Sequence, residues 1–149
     1  MAYIKGKKPS GCILCDKPKE KKDLSNLILK RGKHGFVMMN LYPYSNGHLM
    51  VCPYQHVNTL EELSDEVSTN LMQLTKKSLA ALRKAFHPEG FNVGLNLGKA
   101  AGAGIEDHLH FHLVPRWIGD TNFMTSVSEV RVIPEGLEET YKQLKPHFK

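Results

Sequence analysis

The sequence predicts an α+β domain, a single antiparallel sheet of about five strands carrying one long and one short helix. Three observations predict it. Short apolar runs recur between Gly, Pro and Asn residues, one extended stretch repeats its apolar residues at helical spacing, and a shorter one follows near the C-terminus. At 149 residues, 41% hydrophobic and 23% charged, the chain has enough apolar surface for one core. A single domain over 1–149 is expected, with residues 1–26 an irregular basic segment.

Residues 1–26 are rich in Lys, Pro and Gly and hold one recognisable feature, Cys12-x-x-Cys15. Leu27 to Leu29 and Phe36 to Met39 read as short strands around a turn at Gly32 to Gly35. Tyr42 to Gly47 is a loop by its Pro, Asn and Gly content, and His48 to Cys52 is a third strand ended by Pro53. Ser64-Asp65-Glu66 has the form of a helix N-cap followed by acidic first-turn residues. Val67, Leu71, Leu74, Leu82 and Phe86 then keep helical spacing until Pro88 and Gly90 close the longest element. Phe91, Val93, Leu95 and Leu97 alternate with polar or glycine residues, the period of a strand. After a Gly/Ala loop at 98–104, His108 to Val114 forms the next strand, ending at Pro115. Val127 to Ile133 is a weaker strand, and Leu137, Tyr141 and Leu144 mark a last short helix stopped by Pro146. Met38, Met39, Met50, Met72 and Cys52 lie in apolar segments and are expected in the core.

No apolar run approaches the roughly 18 residues of a membrane span, and the N-terminus lacks the apolar stretch of an export signal. Three cysteines, an odd number, argue against a disulfide framework and suit a reducing compartment, so a cytoplasmic location is expected. The net charge of +5 draws on lysines between Lys5 and Lys33. It suits anionic ligands such as nucleotides, while a solvated basic terminus is weak evidence for nucleic-acid binding.

The chemistry concentrates in His108-Leu109-His110-Phe111-His112-Leu113-Val114. On a strand, Leu109, Phe111 and Leu113 would be buried on one side and three imidazoles aligned on the other, about 6.6–6.8 Å apart. Imidazole is a nucleophile that titrates near neutrality. Attack on phosphorus needs a nucleophile, a proton donor for the leaving oxygen and donors for the non-bridging oxygens. The row supplies the first two, and backbone N–H groups of the glycine-rich loop before it can supply the third. Three ligands converging on one catalytic metal fit this spacing poorly. Cys12-x-x-Cys15 alone leaves a zinc knuckle, a redox pair and unrelated thiols open, and a structural zinc would need two further ligands, for which His56 and a member of the histidine row are available. Asn40 and Asn96 stand at strand ends, within reach of a ribose or phosphate, and Trp117 either packs or stacks a base.

The alternating block resembles the signature of the histidine triad superfamily of nucleotide hydrolases and transferases. Gly47 to Pro53 followed by His56 is similar to that family's second block, and Gly98 to Arg116 to its loop, strand and Pro-Arg block; the likeness covers residues 12–124. Pro115-Arg116-Trp117 with Gly119-Asp120-Thr121-Asn122-Phe123 looks most like the diadenosine tetraphosphate hydrolases and phosphorylases. The resemblance implies that His110 is the nucleophile forming a nucleotidyl-histidine, and that His112 contacts the phosphate or leaving group. It implies that His108 supports the row or ligates zinc with Cys12, Cys15 and His56. It places Asn40 at the sugar, Asn96 beside the phosphates and Gly102 and Gly104 in the phosphate loop. Trp117 joins the substrate residues, as does His48, which matches a recurrent family histidine without an assigned role. It further implies a homodimer with joined sheets, a structural zinc and no cofactor for the chemistry itself. Relatives often carry Ser or Thr before the triad where this chain has Gly102-Ala103-Gly104, which inclines the acceptor toward water rather than phosphate.

The function so expected is cleavage of the α-phosphate linkage of dinucleoside polyphosphates, diadenosine tetraphosphate first among them. The alternatives are an adenosine phosphoramidate hydrolase of the same superfamily and a non-catalytic, zinc-stabilised nucleotide-binding module.

Overall fold

The computed structural model describes residues 11–43, 45–121 and 136–149. The predicted strand at Val127 to Ile133 lies outside them. Five strands form one antiparallel sheet: β1 (Ile28–Arg31), β2 (Gly35–Met39), β3 (Leu49–Pro53), β4 (Gly90–Leu95) and β5 (Phe111–Arg116), in the order β1-β2-β3-β5-β4. The sequence-based α+β architecture therefore holds.

Residues 11–26 are more regular than their composition suggested. They contain two helical turns, α1 (Ile13–Asp16) and α2 (Asp23–Asn26), with a 3-10 turn at Lys17–Glu20 between them. A single guanidinium orders much of this segment: Arg31 donates to both carboxylate oxygens of Asp23 and to the carbonyl of Pro18. The long helix, α3 (Asp65–Phe86), starts where Ser64 accepts a hydrogen bond from the Val67 N–H and ends at His87 in a left-handed conformation. The short helix, α4 (Leu137–Leu144), is tied to β1 by Tyr141, whose hydroxyl donates to the Ile28 carbonyl.

Two cores flank the sheet. On one side α3 and α4 pack over Leu29, Val37, Met39, Leu49, Val51 and Leu113. On the other, Leu14 of α1 covers Ile28, Phe36, Met38, Met50 and Cys52. Every residue of β2 and β3 is consequently buried. Gly35 is required here, because a Cβ on it would lie 2.5 Å from the Cys52 carbonyl oxygen and 2.7 Å from Leu71. Met72 is not in the core: it is 53% exposed. Its neighbours Val67, Leu71, Leu74 and Leu82 are buried on the inner face of α3, and position 72 turns away from them.

The histidine strand is displaced toward the C-terminus of its predicted span. β5 begins at Phe111, opposite Val51 of β3 and Leu95, the last residue of β4. Before that point the chain is held by the Leu109 N–H, which donates to the Val57 carbonyl. The strand also runs through Pro115 instead of stopping there. β3 ends opposite Leu113, so no residue of that strand faces the missing N–H.

Candidate active site

The register decides what His112 meets. Met38 pairs with Met50, Met50 with His112, and His112 with Gly94. His112 therefore stands on the sheet face opposite α3 and α4, in a transverse row whose last member has no side chain.

His110 precedes the strand and is 7% exposed. Its ring lies 4.7 Å from that of His112, centroid to centroid, closer than the strand repeat because the two rings tilt together. His110 Nδ1 lies 3.0 Å from the His108 carbonyl oxygen. That oxygen can only accept, so Nδ1 carries the proton and Nε2 keeps its lone pair. Burial lowers the pKa of His110, and the hydrogen bond to the His108 carbonyl partly offsets this. Burial, with His110 alongside, also takes His112 down to about 4. The neutral imidazoles are thus the resting forms near pH 7.

His48 is 1% exposed and sits behind His112, with Nε2 2.9 Å from His112 Nδ1, so one nitrogen donates to the other. Burial, then the neighbouring His112 and His110, push its pKa to about 3. His48, which the resemblance grouped with the substrate residues, is buried behind His112 and does not line the open cavity described below. Asn40 is half-buried nearby; its side-chain oxygen accepts from the Tyr42 N–H and its amide nitrogen lies 3.5 Å from His48 Nε2.

His108 is fully buried and faces the other way along the row, toward the N-terminal segment. Its Nε2–H donates to the Pro53 carbonyl, leaving Nδ1 3.3 Å from Cys12 Sγ and 3.4 Å from Cys15 Sγ. His56 Nδ1 lies 3.4 Å from Cys15 Sγ, and the ligand atoms of Cys12, Cys15, His56 and His108 all fall within 4.8 Å of one another. Tetrahedral zinc bound at 2.0–2.3 Å holds its ligand atoms roughly 3.5 Å apart, so the donor set and spacing fit a Cys2His2 metal. The carbonyl behind His108 is the outer hydrogen bond that such a ligand uses to fix its tautomer. His108 therefore has two contacts that matter: its ring joins the thiol cluster and its carbonyl holds the His110 ring.

Beyond His112, over β4 and the end of β5, lies an open cavity of about 400 Å³. Asn96 lines it, together with His112, Asn92, Gly94 and Arg116. Gly102 and Gly104 are exposed beside the 3-10 turn Lys99–Ala101, and Trp117 is half-buried; none of the three lines the cavity. The sequence reading missed Asn92, Gly94, Arg116, Asp120 and Thr121. The available signal was parity: Arg116 continues the alternation of His110 and His112, and Asn92 that of Asn96.

Comparisons with known proteins bear on the family and the fold. The family model for the HIT domain matches residues 21–117. AP-4-A phosphorylase of Mycobacterium tuberculosis is 48% identical over 122 residues, which are 82% of this chain and 63% of that protein. The chain thus spans less than two thirds of that relative's length. Adenosine 5'-monophosphoramidase hnt1 of Schizosaccharomyces pombe is 30% identical over 138 residues, 88% of this chain and 98% of the yeast protein. Among solved structures, a Zn-bound histidine triad family protein from Mycobacterium smegmatis shares the fold with a TM-score of 0.74 at 24% identity, covering 92% of both chains. Among the described residues no helix is long and apolar enough to cross a membrane.

Proposed function

The chain belongs to the HIT domain family, and from that premise we propose that it is a nucleotidyl-transferring enzyme that cleaves diadenosine tetraphosphate at an α-phosphate through a covalent nucleotidyl-histidine. The observation that carries this reading is the tautomer of His110. With Nδ1–H engaged by the His108 carbonyl, the Nε2 lone pair is the nucleophile.

In the first step Nε2 attacks the α-phosphorus, the bond to the bridging oxygen breaks, and the nucleoside polyphosphate leaves with the electron pair. The imidazolium so formed keeps Nδ1–H on the His108 carbonyl oxygen, whose dipole faces the new charge. His112, neutral at pH 7 and adjacent to His110, offers a hydrogen bond to the phosphoryl or leaving oxygen. His48 holds the His112 ring, and Asn40 and Asn96 meet the sugar and phosphates. In the second step an acceptor oxygen attacks the same phosphorus and releases His110. The loop without a hydroxyl inclined the sequence reading toward water. The name of the 48% identical mycobacterial relative favours inorganic phosphate, and we take phosphate as the acceptor.

Zinc on Cys12, Cys15, His56 and His108 is structural in this reading, supported by the fit of the four ligand atoms, and the chemistry draws on no cofactor. Homodimerisation through the edge of the sheet and a reducing cytoplasm complete the proposal. A second reading, hydrolysis of adenosine phosphoramidates, is supported by the name of the yeast relative, which aligns over nearly its whole length.

The test is single-turnover incubation with α-labelled diadenosine tetraphosphate, quenched in alkali. Native protein is expected to retain an alkali-stable, acid-labile label that His110→Ala lacks, and added phosphate is expected to change the product from AMP to ADP. Turnover that survives His110→Ala without any adduct would overturn the assignment.

A further inference from the structure

The outer face of α3 carries cations that the reaction does not use. Gln73, Lys76, Lys77, Ala80, Ala81 and Lys84 follow one another at helical spacing and form a single stripe. With His147, from the 3-10 turn Lys145–Phe148, they line a groove of about 450 Å³. Ala80 and Ala81 are its smallest side chains and leave room between the lysines. α3 packs over the sheet face opposite His112, so the groove and the histidine row belong to opposite sides of the sheet.

The charge in this groove has no counterpart among the described residues. Beyond Glu66, α3 contains no acidic residue, and no carboxylate lines the groove. Neighbouring cations are engaged elsewhere: Lys33 with Glu66, Lys142 with Glu138, Arg83 over the Phe91 ring, and Lys145 on the Leu29 carbonyl. Among the described residues no ion pair engages Lys76, Lys77 or Lys84. The helix dipole accounts for a lysine in the last turn, which holds Lys84. Its effect fades within one turn and does not reach Lys76 and Lys77, more than two turns before Phe86.

The lining also selects among anions. Lysine ammonium groups are point charges, without the planar fork by which arginine grips a carboxylate. Apart from the His147 ring no aromatic side chain lines the groove. A nucleobase therefore finds no broad stacking platform, and a peptide finds no pocket for a large anchor residue. Lys77 and Lys84 stand about 10.5 Å apart along the helix axis, too far for one phosphate to bridge. We propose that this groove binds a linear inorganic phosphate chain laid along α3, at a site separate from the histidine row. The proposal does not depend on the reaction assigned to that row.

The experiment is calorimetric titration of the full chain with orthophosphate, tripolyphosphate and a longer polyphosphate. Affinity is expected to rise along that series and to weaken with added salt. Lys77→Gln combined with Lys84→Gln is expected to weaken binding of the longer chain by at least about tenfold. Ala80→Glu, which sets a carboxylate four residues from both Lys76 and Lys84, is expected to do the same. All three positions are exposed and receive good helix formers; thermal melting checks that each variant keeps its fold. Lys21→Gln combined with Lys22→Gln removes the same charge outside the groove and should leave affinity unchanged. The proposal is overturned if native protein binds no phosphate chain, or if the Lys21 and Lys22 variant loses as much affinity. Binding that the groove variants do not move overturns it too, and points to the histidine row. Groove-dependent binding that is tighter for ATP than for tripolyphosphate would replace the phosphate chain with a nucleotide. Tighter binding of a nucleic-acid duplex than of polyphosphate of equal charge would replace it with nucleic acid.

Discussion

At the scale of single residues, the site depends on keeping imidazoles neutral. His48, His110 and His112 are within reach of one another, and protonating one places a charge against the next in a desolvated setting. His48 and His112 are pushed to about 3 and about 4, below their value in an unfolded chain of about 6.5. Between those limits the unfolded chain binds protons that the folded one refuses. Stability is therefore complete above the unfolded value and falls as the pH drops from about 6.5 toward 3, by up to about 1.4 kcal/mol per pH unit for each such histidine. His48→Leu removes one of them. Urea unfolding at a series of pH values is expected to show a shallower acid loss for this variant than for native protein; parallel pH dependences would show that His48 titrates normally. The same substitution leaves His112 without its orienting partner, so kcat should fall while KM for the nucleotide changes little.

At the scale of elements, the histidine row joins two structures that are separate in sequence. The chain from Cys12 to Asp16 brings two thiols to His56 and His108, and His108 passes on to His110 through a backbone carbonyl. Metal bound to the first group would fix His108, whose carbonyl holds the His110 ring. Protein purified without chelator is expected to carry about one zinc per chain by elemental analysis, and Cys15→Ala to carry far less and melt at lower temperature. Equal zinc content in the two proteins would refute the ligand set. Cys12-x-x-Cys15 and the alternating histidines were legible in the sequence because each is a short motif with fixed spacing. Strand ends were not. β5 starts opposite Val51 and Leu95 and passes Pro115 because β3 begins only opposite Leu113, so its limits depend on partner strands distant in sequence. Asn92 was missed for the same kind of reason: its side-chain oxygen accepts from Arg116, 24 residues away in sequence and brought alongside by the β4–β5 register. His48 was noted as a family position, yet its role behind His112 appears only when the β3–β5 pairing is known. Met72 was misread because hydrophobicity was taken without its phase on the helix.

At the scale of the whole molecule, the described residues cover one edge of the sheet and leave the other without a further partner strand. β1 is joined by Tyr141 and Lys145 from the C-terminal segment, which donate to the Ile28 and Leu29 carbonyls. Among the described residues, β4 pairs with β5 alone. Val93 on β4 is 46% exposed, and Leu97 just beyond it is 41% exposed. An exposed edge bearing apolar side chains, without the charges that ordinarily blunt one, is a template for another strand. A second copy of the chain is a natural complement, because antiparallel pairing of β4 with β4 about a twofold axis satisfies both edges with one patch. It would also bring two cavities to the same side of a continuous sheet, each opening over its own β4. Sedimentation of native protein is expected to give twice the 16.8 kDa chain mass. Val93→Lys places a charge from each protomer at the join and is expected to shift the distribution toward monomer. A native protein that sediments as a monomer at micromolar concentration would remove this interface. A dimer that ignores Val93→Lys would locate the contact elsewhere, away from β4.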